Sequence, residues 1–193
     1  MGSVGQGKGS LLVHTKDYVT RHHGASTWQA LLQIASPQDR EVLGGILLRG
    51  GWYPIGIVNR VTTQLCEQYA RSNPDDEMRA LASYIADSDL GTVYKMILGM
   101  GSPEFLMKRT GSLWNRYFDV GVLTGEEVAK SHWRLKLQMP VGEEAAPNRY
   151  YCGPGCPSWI EKGLILTGAS SARVNHVECR YDNGKYCVYD VTW

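Results

Sequence analysis

Through the first 120 positions apolar residues recur at three- and four-residue spacing, the period of a helix with one buried face. Leu12, Val13, Tyr18 and Val19 predict a helix from about Leu11 to Gly24. Ser26 is a candidate N-cap for a second, carrying Trp28, Leu31, Leu32 and Ile34, and Ser36-Pro37 opens a third that ends at Gly44-Gly45 or continues weakly to Leu48. After Trp52-Tyr53-Pro54 a longer helix carries Ile55, Val58, Thr62, Leu65 and Tyr69, and Asn73-Pro74 closes it. Asp75-Asp76-Glu77 places three acids where a helix N-terminus favours them, ahead of Met78, Leu81, Ala82 and Ile85. Two more helices are predicted, one with Leu90, Val93, Tyr94, Ile97 and Leu98. The other starts at Ser102-Pro103-Glu104 and holds Leu106, Leu113, Trp114 and Tyr117.

The period then changes to two. From Val128 to Met139, Ala129, Ser131, Trp133, Leu135, Leu137 and Met139 alternate with Lys130, His132, Arg134 and Lys136, which predicts one half-buried antiparallel strand with a basic outer face. A polar loop, Pro140 to Asn148, and a helix from about Pro157 to Thr167 follow. Asp182-Asn183-Gly184, between two runs rich in Val, Tyr and Cys, signals a hairpin. A three-residue loop with Gly184 in the left-handed conformation would set Cys179 directly across from Cys187. The expected fold class is α+β: N-terminal helices packed on one face of a small antiparallel sheet, completed by a C-terminal helix and β-hairpin. Residues 1–10 read as a flexible lead-in and 11–193 as a single domain.

Composition adds little constraint. Hydrophobic residues at 43%, charged residues at 20% and a net charge of +1 are those of an ordinary globular protein, with nothing that calls for nucleic acid. Apolar runs fall short of the roughly 20 residues that span a bilayer. With no apolar leader at the start, a cytoplasmic, reducing setting is expected. In that setting clustered cysteines bind metal or do redox work more often than they form structural disulfides. Four of the five, Cys152, Cys156, Cys179 and Cys187, fall in the last 42 residues beside His176, while Cys66 reads as core. Three readings remain open: a structural zinc site, a reduced buried set, or a cross-strand disulfide between Cys179 and Cys187. For zinc, the candidate ligands are Cys156, His176, Cys179 and Cys187, with Cys152 as the alternative. In a regular strand His176 and Cys179 face opposite ways, so joint ligation requires a bulge. No catalytic constellation is present: there is no nucleophile elbow, no phosphate-binding glycine loop and no His-Glu-x-x-His. Haem is expected to be unlikely, since a Tyr-x-Ser-x-Arg stretch and a mid-helix histidine are both missing.

Gly-Gly-Trp52-Tyr53-Pro54, the segment Leu113-Trp114-Asn115-Arg116-Tyr117-Phe118-Asp119, and the ending His176-Val-Glu-Cys179 to Cys187 and Trp193 resemble the 4-vinyl reductase-like domains. More narrowly, the chain resembles uncharacterised cytosolic members of that group from myxobacteria. The wider superfamily includes haem nitric-oxide sensors, vesicle-tethering subunits of the TRAPP complex and aromatic-sensing input domains. The resemblance implies a pocket between helices and sheet, for which Trp52, Tyr94, Trp114, Tyr117 and Trp133 are the candidate lining residues, and a homodimer. In the aromatic-sensing relatives a zinc is held by an upstream cysteine, an acid and two later cysteines spaced as Cys179 and Cys187 are. His176 stands where the acid would be. The expected function is therefore a non-catalytic sensory domain binding a small apolar or aromatic ligand. The alternative is an assembly module with its pocket filled. An enzyme using cysteine or zinc is a third, weaker expectation.

Overall fold

The computed structural model describes residues 5–70, 72–92, 102–140 and 146–193. Among them the order is β1 (Gln6–Lys8), α1 (Gly9–His22), α2 (Ala25–Ile34), α3 (Pro37–Gly44), β2 (Trp52–Pro54), α4 (Ile55–Gln64) and α5 (Pro74–Thr92). There follow α6 (Pro103–Lys108), α7 (Thr110–Tyr117), β3 (Val122–Ala129), β4 (His132–Gln138), α8 (Cys156–Leu166), β5 (Arg173–Glu178) and β6 (Cys187–Thr192). A π turn, Leu65–Tyr69, extends α4, and a second, Tyr151–Gly155, leads into α8. The fold class is α+β, as the change of period implies.

Local chemistry sets the boundaries. The Ser36 hydroxyl accepts from the Asp39 amide at 3.1 Å, with Pro37 in the first turn, so α3 begins where expected. The cap of α2 is Gly24, at φ +90°, rather than Ser26. Leu90 belongs to α5, which runs unbroken from Pro74; the rest of the helix expected around Tyr94 lies outside the described residues. Residues 6–10 are not a loose lead-in. Gln6–Lys8 pair antiparallel with Trp52–Pro54, and α1 starts at Gly9.

The main sheet has the order β3-β4-β6-β5, antiparallel throughout. The alternation from Val128 to Met139 is two strands, not one. Val128 and Ala129 end β3, a two-residue turn at Lys130-Ser131 follows with Ser131 at φ +57°, and His132 opens β4 opposite Ala129. The turn carries no Gly or Pro and falls among the polar residues Lys130, Ser131 and His132 of the alternating run, so nothing in the pattern marks it. The face assignment holds for β4, where Trp133, Leu135 and Leu137 are buried, as are Cys187, Tyr189 and Val191 on β6, but not for Ala129, which is exposed and pairs with His132. Arg134 and Lys136 point outward. One continuous core joins that face to Leu12 and Val19 on α1 and to Leu81 and Ile85 on α5. Helix α8 packs between α5 and β5, and α7 lies against β3. No described helix is long and apolar enough to cross a membrane.

Candidate functional site: an apolar cavity beside a cysteine corner

Two features meet at the π turn before α8. The first is a semi-enclosed cavity of about 80 Å³ walled by α1, α5, α7, the turn and α8. Its lining includes Leu11, Met78, Ala82, Ile85, Leu113, Trp114, Tyr117, Tyr151, Cys156 and Trp159. Tyr117 turns its hydroxyl away from this space to donate to Asp89 Oδ2 at 2.8 Å, while Asp89 Oδ1 lies 2.7 Å from His14 Nε2. Burial, then the Asp89 charge, pushes the Tyr117 phenol well above its ordinary range, so it stays protonated. Tyr151, also raised by burial, shares a 3.1 Å hydrogen bond with Thr62 Oγ1. The walls therefore present carbon and sulfur.

Of the five expected lining residues, Trp114 and Tyr117 are on the wall. Trp52 is instead 40% exposed on β2, and Trp133 is buried in the sheet outside the cavity. Tyr94 lies outside the described residues. Trp159 was missed; its ring meets Tyr117 edge-on at 5.7 Å. Its signal was Gly163, one turn on, where a Cβ would come 3.0 Å from Leu106 and 3.4 Å from Leu90, marking a helix pressed close to its neighbours.

The second feature is the cysteine corner. Cys152, Cys179 and Cys187 bring their sulfurs within 4.8 Å of one another. Cys156, expected in this set, faces the cavity instead, and the alternative, Cys152, takes the place. All five cysteines are free, and no disulfide joins Cys179 to Cys187.

The required bulge is present: His176 pairs with Tyr189 and Glu178 with Val188, leaving Val177 as the extra residue. His176 stacks on Tyr189 with ring centroids 4.7 Å apart, and its Nε2 is buried without a hydrogen-bond partner. The loop between β5 and β6 runs over residues 179–186 rather than three, and Asn183, not Gly184, adopts the positive φ, +66°. Gly184 is needed for another reason. A Cβ there would sit 2.6 Å from the Cys179 carbonyl oxygen.

Cys187 is held well below the usual thiol range by the hydrogen bond from Cys152, with His176 adding to it against the opposing effect of burial. Cys152 is raised in return, by that hydrogen bond and then by burial. Burial pushes Cys156 up to about 12. The corner thus stabilises a thiolate, the form that ligates metal, whereas the cavity keeps its cysteine as a thiol.

No protein-family model matches the chain, and no curated protein does. Solved structures do. An H-NOX protein from S. oneidensis in the Fe(II) ligation state (a triple mutant) superposes with TM-score 0.70 at 14% identity, covering 96% of this chain and 95% of that one. An Fe(II) unliganded H-NOX mutant from K. algicida gives TM-score 0.71 at 11% identity, over 96% and 95%. The likeness establishes an H-NOX-like fold, in line with the haem nitric-oxide-sensor part of the superfamily resemblance. It also overturns the expectation that haem is unlikely. That expectation rested on a missing short motif and on the lack of a mid-helix histidine, whereas His14 is buried within α1 and nearly the whole chain folds as proteins described in Fe(II) and Fe(II)NO states do.

Proposed function

We propose that this chain is a small-molecule sensor domain whose apolar ligand sits in the cavity against α8. The carrying observation is the cavity itself: an apolar space left open at the junction of the helices with the turn and helix that lead to the sheet. An open cavity favours this reading over an assembly module with a filled pocket. Because the structural relatives include iron-bearing H-NOX proteins, a tetrapyrrole is the first ligand to test, with simple aromatics second. Among the thiol, phenol and imidazole groups of the described lining residues, only the Cys156 thiol would offer a donor to a bound metal, since the Tyr117 and Tyr151 hydroxyls are engaged by Asp89 and Thr62 and no histidine is on the wall. When bound, an iron tetrapyrrole would supply a site for a diatomic gas. At about 80 Å³ the cavity is smaller than the roughly 150 Å³ that holds a benzene ring, so an aromatic needs a small outward shift of the walls and a tetrapyrrole a large one. Titration with haemin and with benzene-sized aromatics, followed by native mass and tryptophan fluorescence, tests the reading. Stoichiometric binding of one of them supports it, and no binding of either class contradicts it.

The corner carries a second reading: Cys152, Cys179 and Cys187 hold a structural zinc, with His176, which stands outside their 4.8 Å grouping, turning in as the fourth ligand. The three clustered sulfurs and the unpartnered His176 Nε2 favour it. Metal analysis of untagged protein decides it. Protein free of zinc, with all five thiols reacting under native conditions, contradicts it. The 4-vinyl reductase-like resemblance also carries a homodimer. Light scattering at high micromolar concentration tests the homodimer.

A further inference from the structure

Between α3 and β2 the chain reads Gly44-Gly45-Ile46-Leu47-Leu48-Arg49-Gly50-Gly51, two glycine pairs enclosing three aliphatics. Leu47 packs on the core, but Ile46 is 89% exposed, Leu48 61% and neighbouring Trp52 40%. The segment is held in place. Gly51 N–H donates to Leu48 O at 2.9 Å, Gly9 N–H to Gly51 O at 2.8 Å, and Leu48 N–H to the Tyr53 hydroxyl at 2.9 Å. A Cβ at Gly9 would lie 2.0 Å from the Leu48 carbonyl oxygen, so the loop backbone rests directly on the start of α1. The apolar tip is a fixed display, already ordered before any partner arrives.

Its surroundings are basic. Lys8 Nζ lies 4.5 Å over the Trp52 ring and donates to Gly50 O at 2.8 Å. Arg49 is exposed beside Leu48, and Arg116 borders the same hollow as Trp52 and Lys8. Asp89, the one carboxylate among the described residues lining that hollow, is engaged by His14 and Tyr117. We propose that this tip docks the protein on an anionic bilayer surface, with Ile46 and Leu48 entering the headgroup–acyl boundary, Trp52 at its level, and Lys8 and Arg49 against the lipid phosphates. A protein partner fits less well. A stable interface buries about 800 Å² on each side, far more than three protruding side chains offer.

The test is co-sedimentation of the full chain with phosphatidylcholine vesicles, with and without phosphatidylglycerol. The protein should pellet with the anionic vesicles, stay in solution with the neutral ones, and be released by salt. Ile46→Asp with Leu48→Asp should abolish binding without changing the melting temperature, and Arg49→Gln should weaken it about fivefold. If the double variant fails to fold, Arg49→Glu decides instead, with a drop of more than about tenfold expected because it reverses the charge. The proposal is overturned if the wild-type chain ignores anionic vesicles, or if it binds neutral ones equally. It is also overturned if the variants that fold bind undiminished, or if the tip substitutions only convert a dimer to a monomer.

Discussion

The cavity and the cysteine corner share one five-residue turn, Tyr151–Gly155, yet are built on opposite principles. The cavity is defined by shape: its wall residues come from α1, α5, α7 and α8, and its polar atoms are turned outward, as in the Tyr117–Asp89 bond. The corner is defined by chemistry: three sulfurs converge where a strand ends, a strand begins and a π turn passes, with the His176 ring stacked on Tyr189 nearby. A site made by shape tolerates substitution of any one wall residue at the cost of a void. One made by donor atoms fails when a single donor is lost. The turn also carries the contact between them, since the Tyr189 hydroxyl donates to the Cys152 carbonyl at 2.8 Å while His176 stacks on the same ring.

The difference predicts a ranking. Cys179→Ser or Cys187→Ser should have the largest effect, removing bound metal and costing several kcal/mol. Structural zinc in small peptides is worth about 10–16 kcal/mol, and the separate core here lowers the share that shows as stability. Cys156→Ser should leave the metal in place. Metal content and thermal unfolding of the three variants check this, and loss of metal in Cys156→Ser would move the site boundary. Next is Trp159→Ala, which should cost about 3 kcal/mol, enlarge the cavity and admit larger aromatics while metal content stays constant. Loss of metal in that variant would merge the two sites into one.

How far the sequence reveals each region follows from the same distinction. The inward face of β4 is legible because alternation depends only on neighbours in the chain, and Trp133, Leu135 and Leu137 are buried as that pattern requires. Cys179 and Cys187 are legible for a related reason, since both flank one β5–β6 connection. The choice of Cys152 over Cys156 is not, because it depends on how the π turn enters α8, and Pro154 inside Cys-Gly-Pro-Gly-Cys signals only an irregularity. The cavity wall is the least legible. Met78, Tyr151 and Trp159 come together through packing between distant elements, and helical spacing marks them only as apolar. Trp52 and Trp133 fail as lining residues because aromatic identity does not say which side of an element faces a void.

A smaller effect separates the thiols by access. In metal-free protein, Cys179, which is partly exposed, should be alkylated first and fully buried Cys66, whose thiol burial pushes up to about 12, last. Cys156, partly exposed but also pushed up to about 12, should fall between them. Peptide mapping after timed alkylation reads the order directly. Early modification of Cys156 would mean that the cavity admits water and reagent more freely than its walls suggest.

The central claim is that the cavity is a ligand site, and filling it is the most direct test. Ala82 is 3% exposed on the cavity wall, so Ala82→Leu places three further carbons into the void. The measurement is the affinity of the best-bound compound, haemin or aromatic, for the wild-type chain and for Ala82→Leu, with melting temperature alongside. The account predicts that the variant binds at least about tenfold more weakly while melting at the same temperature or higher, since a filled void is better packed. Undiminished binding by Ala82→Leu would place the ligand elsewhere and contradict the account.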